Sequence, residues 1–174
     1  VTAYEVFDQK GKFLAVYYAD FHPREGKRGG AWMNNFQEQY MLGKKNVRPH
    51  VVNVMNFTRA TDTKPALFSY DEVETFLHEF GHGLHGMLTQ CQYAAQNGTN
   101  VPRDFVELPS QFNENFLGEK EFLDTFAKHY ETDEVIPQDL VDKIQRAATY
   151  HAAYACVRQL SFGYLDMAWH TLTS

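Results

Sequence analysis

Apolar and polar positions change their period near the middle of the chain. Tyr4–Phe7 and Phe13–Tyr18 are rich in aromatic and β-branched residues and flank Asp8-Gln9-Lys10-Gly11-Lys12, so they predict two strands joined by a hairpin turn. Val51–Phe57 alternates well enough for another strand. His22–Gly30 is a polar loop whose Arg24, Lys27 and Arg28 read as a solvated surface or a basic patch able to steer an acidic substrate. After the turn-rich 60–65 stretch the period becomes helical. Helices are expected over 70–89, 105–117, 120–130 and 138–172. Pro137 suits the first turn of the last one, and Gly163 is a candidate kink within it. Asn97-Gly98 marks a loop over 90–103. Strands first and helices after predict an α+β fold: a small mixed sheet beside the 70–89 helix, then a mostly helical C-terminal half. We expect one domain, strand-rich over 1–60 and helical over 70–174.

The 70–89 helix carries the chemistry. Ser69-Tyr70-Asp71-Glu72 is a capping box, and Val73, Phe76, Leu77, Phe80, Leu84, Met87 and Leu88 continue an apolar stripe. Within it lies His78-Glu79-Phe80-Gly81-His82. Residues i and i+4 share a helix face, so His78 and His82 can aim two imidazoles at one metal ion, with Glu79 one step round as candidate general base. With 8 histidines in 174 residues, the pattern arises by chance in roughly 3% of such chains; the cap, the stripe and an acidic segment downstream favour a metal site. Asp104, Glu107, Gln111 and Glu114 fall on roughly one helical face, and any of the three acids could supply a third ligand. Asp104 is also the expected N-cap of that helix, with a histidine-orienting carboxylate as the alternative. His85 reads as a packing or ligand-supporting residue. Gly81, Gly83 and Gly86 each cost about 1 kcal/mol relative to alanine inside a helix, which predicts close approach of a backbone, a neighbouring helix or a substrate.

Phe76–Gly86, followed by Asp104-Phe105-Val106-Glu107-Leu108-Pro109-Ser110-Gln111, resembles the thimet oligopeptidase and oligopeptidase A family of zinc metallopeptidases. Gly29–Met33, Gly98–Glu107 and Leu165–His170 extend the resemblance over nearly the whole chain, and the Gly98–Asp104 run is similar to its peptidyl-dipeptidase branch. The resemblance implies a zincin-like core with one Zn2+ per chain, held by His78, His82 and Glu107, with Glu79 catalytic. It implies hydrolysis of oligopeptides, with release of C-terminal dipeptides; alternatives are an oligopeptidase that cuts internally and a non-catalytic zinc module closed by His85 or Cys91. Arg103 is a weak candidate for a substrate carboxylate. An extended peptide would pair with an edge strand, for which Gly29–Met33 and Val51–Phe57 are the candidates. The family's enzymes are several times longer and carry tyrosines in a downstream glycine-rich segment, so we expect this chain to be part of a larger enzyme, weak or inactive alone. Tyr150, Tyr154 and Tyr164 are expected to pack rather than replace those tyrosines.

Composition narrows the partners. A formal net charge of −6 argues against nucleic acid, and no run of 18 apolar residues could span a membrane. Aromatic residues at 15% predict exposed apolar patches and self-association in a partial domain. Cys91 and Cys156, far apart and without metal spacing, are expected as free thiols in a reducing, cytoplasmic compartment.

Overall fold

The computed structural model describes residues 1–173. Two compact units divide the chain, Val1–Leu117 and the segment from Gly118 onward.

The first unit opens with the expected hairpin, β1 (Thr2–Phe7) and β2 (Phe13–Asp20). Asp8 builds its turn by accepting from the N–H groups of Lys10 and Lys12, both at 2.8 Å, and Gly11 takes the positive φ of 77° that the turn requires. Three strands that the periodicity did not show follow: β3 (Trp32–Gln37), β4 (Tyr40–Leu42) and β5 (Lys45–Val47). The last strand, β6 (His50–Val54), is the one expected within Val51–Phe57. The sheet order is β1-β2-β6-β3, with β2 and β6 parallel and the other two pairs antiparallel. It is the small mixed sheet that was predicted. β6 lies inside it, paired on both sides, which removes Val51–Phe57 as a peptide-binding edge. β3 is an edge, so the Gly29–Met33 candidate leads onto a free one.

Helix α1 (Tyr70–Leu88) covers one face of this sheet. Its N-terminus has the full capping box, with Ser69 Oγ accepting from Glu72 N–H and the Glu72 carboxylate from Ser69 N–H. Ala15, Tyr17, Ala19 and Val51 point inward from the strands and meet Met87, with Phe80 and Leu84 packed around them. At the other end of α1, Arg48 donates to the carbonyls of Met87 (2.7 Å) and Thr89 (3.0 Å) and also to Leu14 (2.6 Å). A cation on the helix's last carbonyls suits the macrodipole and ties α1 to the strands on either side.

The glycines of α1 are packing devices facing three partners. A Cβ on Gly81 would stand 2.6 Å from the Pro109 carbonyl oxygen and 2.7 Å from Ser110 Cα. On Gly83 it would meet Asn53 Oδ1 at 3.0 Å, and on Gly86 the Met33 methyl at 2.7 Å. Gly163 is the control, because nothing lies within 4 Å of its Cβ position. Gly81→Ala should therefore destabilise the chain by about 1–3 kcal/mol, since overpacking against main chain outweighs the helix propensity gained. Gly163→Ala should stabilise it by up to about 1 kcal/mol. Urea unfolding of the two variants checks both signs.

The 22–30 loop is not simply a solvated surface. Lys27, with a side chain 3% exposed, turns back to bond the Asp20 carboxylate at 3.0 Å and the carbonyls of Asp20 and His22 at 2.8 and 2.9 Å. Arg24 bonds both Asp20 oxygens. Burial opposes ionisation of Asp20, but the two cations prevail and hold its carboxyl below the usual carboxylate range. A depressed folded-state pKa contributes stability above the unfolded value, near pH 4, and loses it as pH falls through the folded value. Asp20→Asn should lower stability at pH 7 and flatten its fall below pH 4, as read by unfolding at several pH values.

The second unit contains α3 (Lys120–Phe126), a bridge between Lys128 and Val135, α4 (Gln138–Ala147) and α5 (Ala152–His170). The helix expected over 138–172 is thus two helices. The break falls at His151, in the left-handed region at φ 55°, and α5 passes through Gly163 without interruption. Pro137 caps α4 from just outside it. Leu123 and Val141 are buried in this unit, while α5 buries none of its residues. Tyr150, Tyr154 and Tyr164 are 67–76% exposed, contrary to the packing role expected of them. No helix among the described residues is long and apolar enough to cross a membrane, and both cysteines are free.

Candidate metal centre

Helix α1 presents His78 and His82 one turn apart, their ring centroids separated by 4.9 Å. The third ligand arrives from α2 (Leu108–Glu114). Glu107 occupies the N-cap position of this helix, and Pro109 sits in its first turn. Gly81 allows that turn to lie directly against α1, and this contact brings Glu107 to the histidines. Its Oε2 stands 3.1 Å from His82 Nε2 and 3.3 Å from His78 Nε2. These three donors form the cluster that can hold a metal ion, with all ligand atoms within 4.8 Å of one another.

The donor set fits zinc. Two imidazole nitrogens and a carboxylate oxygen are a ligand set of catalytic zinc sites. Metal–ligand bonds of about 2.0–2.1 Å in a tetrahedron imply ligand separations of about 3.4 Å, close to the two distances from Glu107. The protonation states also fit. Burial lowers the His82 pKa, although Glu107 opposes the shift, so its imidazole is neutral and able to ligate. The Ser110 hydroxyl, 2.8 Å from Glu107 Oε2, leads in holding that carboxyl low, with the two histidines adding to it.

Of the three candidate acids, Glu107 reaches the metal position. Glu114 lies behind it, one oxygen 2.5 Å from His78 Nδ1. A carboxylate there fixes the tautomer that leaves Nε2 free to ligate and makes the ring a better donor. Asp104 has neither role assigned to it: α2 begins only at Leu108, and Asp104 is exposed in the preceding turn. The orienting role thus belongs to Glu114, seven residues beyond Glu107 and on the same face. Glu114→Gln should weaken zinc binding roughly 10–100-fold while leaving the fold intact; competition with a chromogenic chelator measures it.

Glu79 is buried beside this centre, 8% exposed. Burial raises its pKa and Glu107 adds to the rise, against the opposing His78 charge. His85 and Cys91 do not join the cluster. His85 packs against Phe105 at 6.2 Å with its Nδ1 unpartnered, and Cys91 Sγ donates to the Gln96 carbonyl. Arg103 is exposed. A cleft of about 280 Å³ on the His78 side of the cluster is lined by Ala31, Glu74, Thr75, His78, Glu79 and Glu114. Sequence reasoning missed Ser110 as a supporting residue, although it lies one helical turn from Glu107.

A helix bearing HExxH, backed by a mixed sheet and completed by a glutamate from the next helix, defines a zincin-type metallopeptidase core with a single Zn2+ site. The family model described as Peptidase family M3 matches residues 1–174, and the chain belongs to that family. It is 42% identical to the dipeptidyl carboxypeptidase of Salmonella typhimurium over 99% of its own length. It is 44% identical to oligopeptidase A of Escherichia coli over 98%, and 41% identical to an organellar oligopeptidase A of Arabidopsis thaliana over 98%. The chain spans about a quarter of the length of these curated relatives, 25%, 25% and 22% respectively.

Proposed function

We propose that this chain forms the zinc-binding and proton-transfer core of a peptidase that hydrolyses oligopeptides and releases C-terminal dipeptides. The observation that carries the reading is the convergence of His78 and His82 on Glu107, with the Glu79 carboxylate buried beside them at an open cleft. Zinc, when bound, supplies a Lewis acid that polarises a carbonyl oxygen and lowers the pKa of water to about 7. The remaining work belongs to the chain. Glu79, whose pKa burial raises above the ordinary carboxylate value, takes a proton from the attacking water and returns it to the leaving amine nitrogen. The Asn53 amide holds the main chain at Glu79, donating to its carbonyl at 2.7 Å. The free edge of β3, reached through Gly29–Met33, supplies main-chain hydrogen bonds to an extended peptide with little demand on its sequence. Two free thiols support a reducing, cytoplasmic setting.

The dipeptide-releasing mode is supported by the Gly98–Glu107 segment and by a relative whose name is dipeptidyl carboxypeptidase; relatives named oligopeptidase A support internal cutting. The test is mass-spectrometric product analysis of the zinc-loaded protein with one oligopeptide in two forms, C-terminally free and amidated. Dipeptide release from the free form alone supports the proposal. Equal internal cleavage of both selects the oligopeptidase, and no cleavage of either means that turnover needs residues beyond this core.

A further inference from the structure

The central strand β6 carries a polar side chain where its neighbours are valines. Asn53 is fully buried on the face turned toward α1. Its Nδ2 donates to the main-chain carbonyl of Glu79 at 2.7 Å. Opposite Asn53 in the β3–β6 ladder stands Met33, whose side-chain methyl reaches α1 at Gly86.

The amide brings a burden. Asn53 Oδ1 is buried with no hydrogen-bond partner, and a buried polar atom left unpaired works against folding. It also crowds the helix, lying 3.0 Å from the position a Gly83 Cβ would take. An aliphatic side chain, as at Val51 on the same strand, would leave no polar atom unpaired. What the amide supplies in return is a donor at Glu79, in the turn of α1 that lies between the two histidines.

We infer that Asn53 is a positioning residue: its bond to the Glu79 carbonyl sets the seat of α1 on the sheet, and with it the aim of His78, His82 and the Glu79 carboxylate. The inference rests on the reading of His78, His82 and Glu107 as metal ligands. Ligand geometry tolerates displacements of only about 0.5 Å, and loss of supporting bonds around a metal typically lowers affinity 10–100-fold.

Cobalt(II) is the probe, since its visible d–d bands report coordination geometry and its binding needs no substrate. The measurement is the cobalt dissociation constant, the band positions and the metal-free melting temperature of the unchanged chain and of Asn53→Leu. We expect Asn53→Leu to bind cobalt about 10-fold more weakly with shifted bands, whatever its melting temperature does. A lower melting temperature with cobalt affinity and bands unchanged would overturn the inference, because that is the signature of packing alone. If Asn53→Leu does not fold, Gly83→Ala takes its place, since its new Cβ presses on Oδ1 and pushes the amide from its seat. Weaker cobalt binding in that variant supports the inference, and unchanged binding overturns it. An unchanged chain that takes up no cobalt overturns the metal reading together with the inference, which separates that failure from a variant that behaves like its parent.

Discussion

Glu79→Gln keeps its zinc and loses turnover. Glutamine has nearly the same size and fits the same buried position beside the cluster. Glu79 is not among the clustered ligand atoms, so metal content should stay at one zinc per chain. What the amide cannot do is accept a proton at any working pH. A positioned proton-transfer group is worth roughly 10²–10⁴ in rate, and a loss of that size in kcat, with little change in KM, is expected in a hydrolysing preparation. Metal analysis beside the rate measurement keeps the result interpretable. Retained turnover would take the general-base role away from Glu79, while a variant that lost its zinc would point to a structural part for the carboxylate.

The helix that carries this residue was the most legible part of the sequence. Its cap, its stripe and both histidines lie within one local segment, where spacing alone decides geometry. Glu107 was harder to identify. Three acids shared a face, and the choice among them depends on how close α2 can approach α1, which is set by the absence of a Cβ at Gly81. The glycines were visible; their partners were not, because each faces a different element. β3 was missed because its long-range pairing with β6, not alternation, defines it: Trp32–Gln37 reads Trp-Met-Asn-Asn-Phe-Gln, and its two asparagines hide the period; β4 and β5 form a local hairpin of three residues each, too short to show a period. The 138–172 helix was read as one because nothing in Ala148–His151 except a left-handed His151 ends it. Lys27 looked like a surface charge because its partner Asp20 closes a strand, and a buried ion pair across a turn leaves no periodic trace.

His78→Ala should remove the metal itself. Structural zinc sites with four protein ligands bind with roughly 10–16 kcal/mol in all, so one ligand corresponds to about 3–4 kcal/mol, or a few hundred-fold in affinity. The loss should exceed that of Glu114→Gln, because Glu114 acts only through His78 Nδ1. This dependence can be checked directly. With His78 absent, replacing Glu114 should change the remaining zinc affinity by less than about twofold, whereas with His78 present it should cost 10–100-fold. The four affinities of the double-mutant cycle then give a coupling nearly equal to the whole Glu114 effect. Additive losses would mean that Glu114 meets the metal in its own right. The chain should still fold, since His78 is partly exposed and its loss opens the cleft rather than the core. An unchanged circular dichroism spectrum in the zinc-free variant would therefore locate the defect at the site.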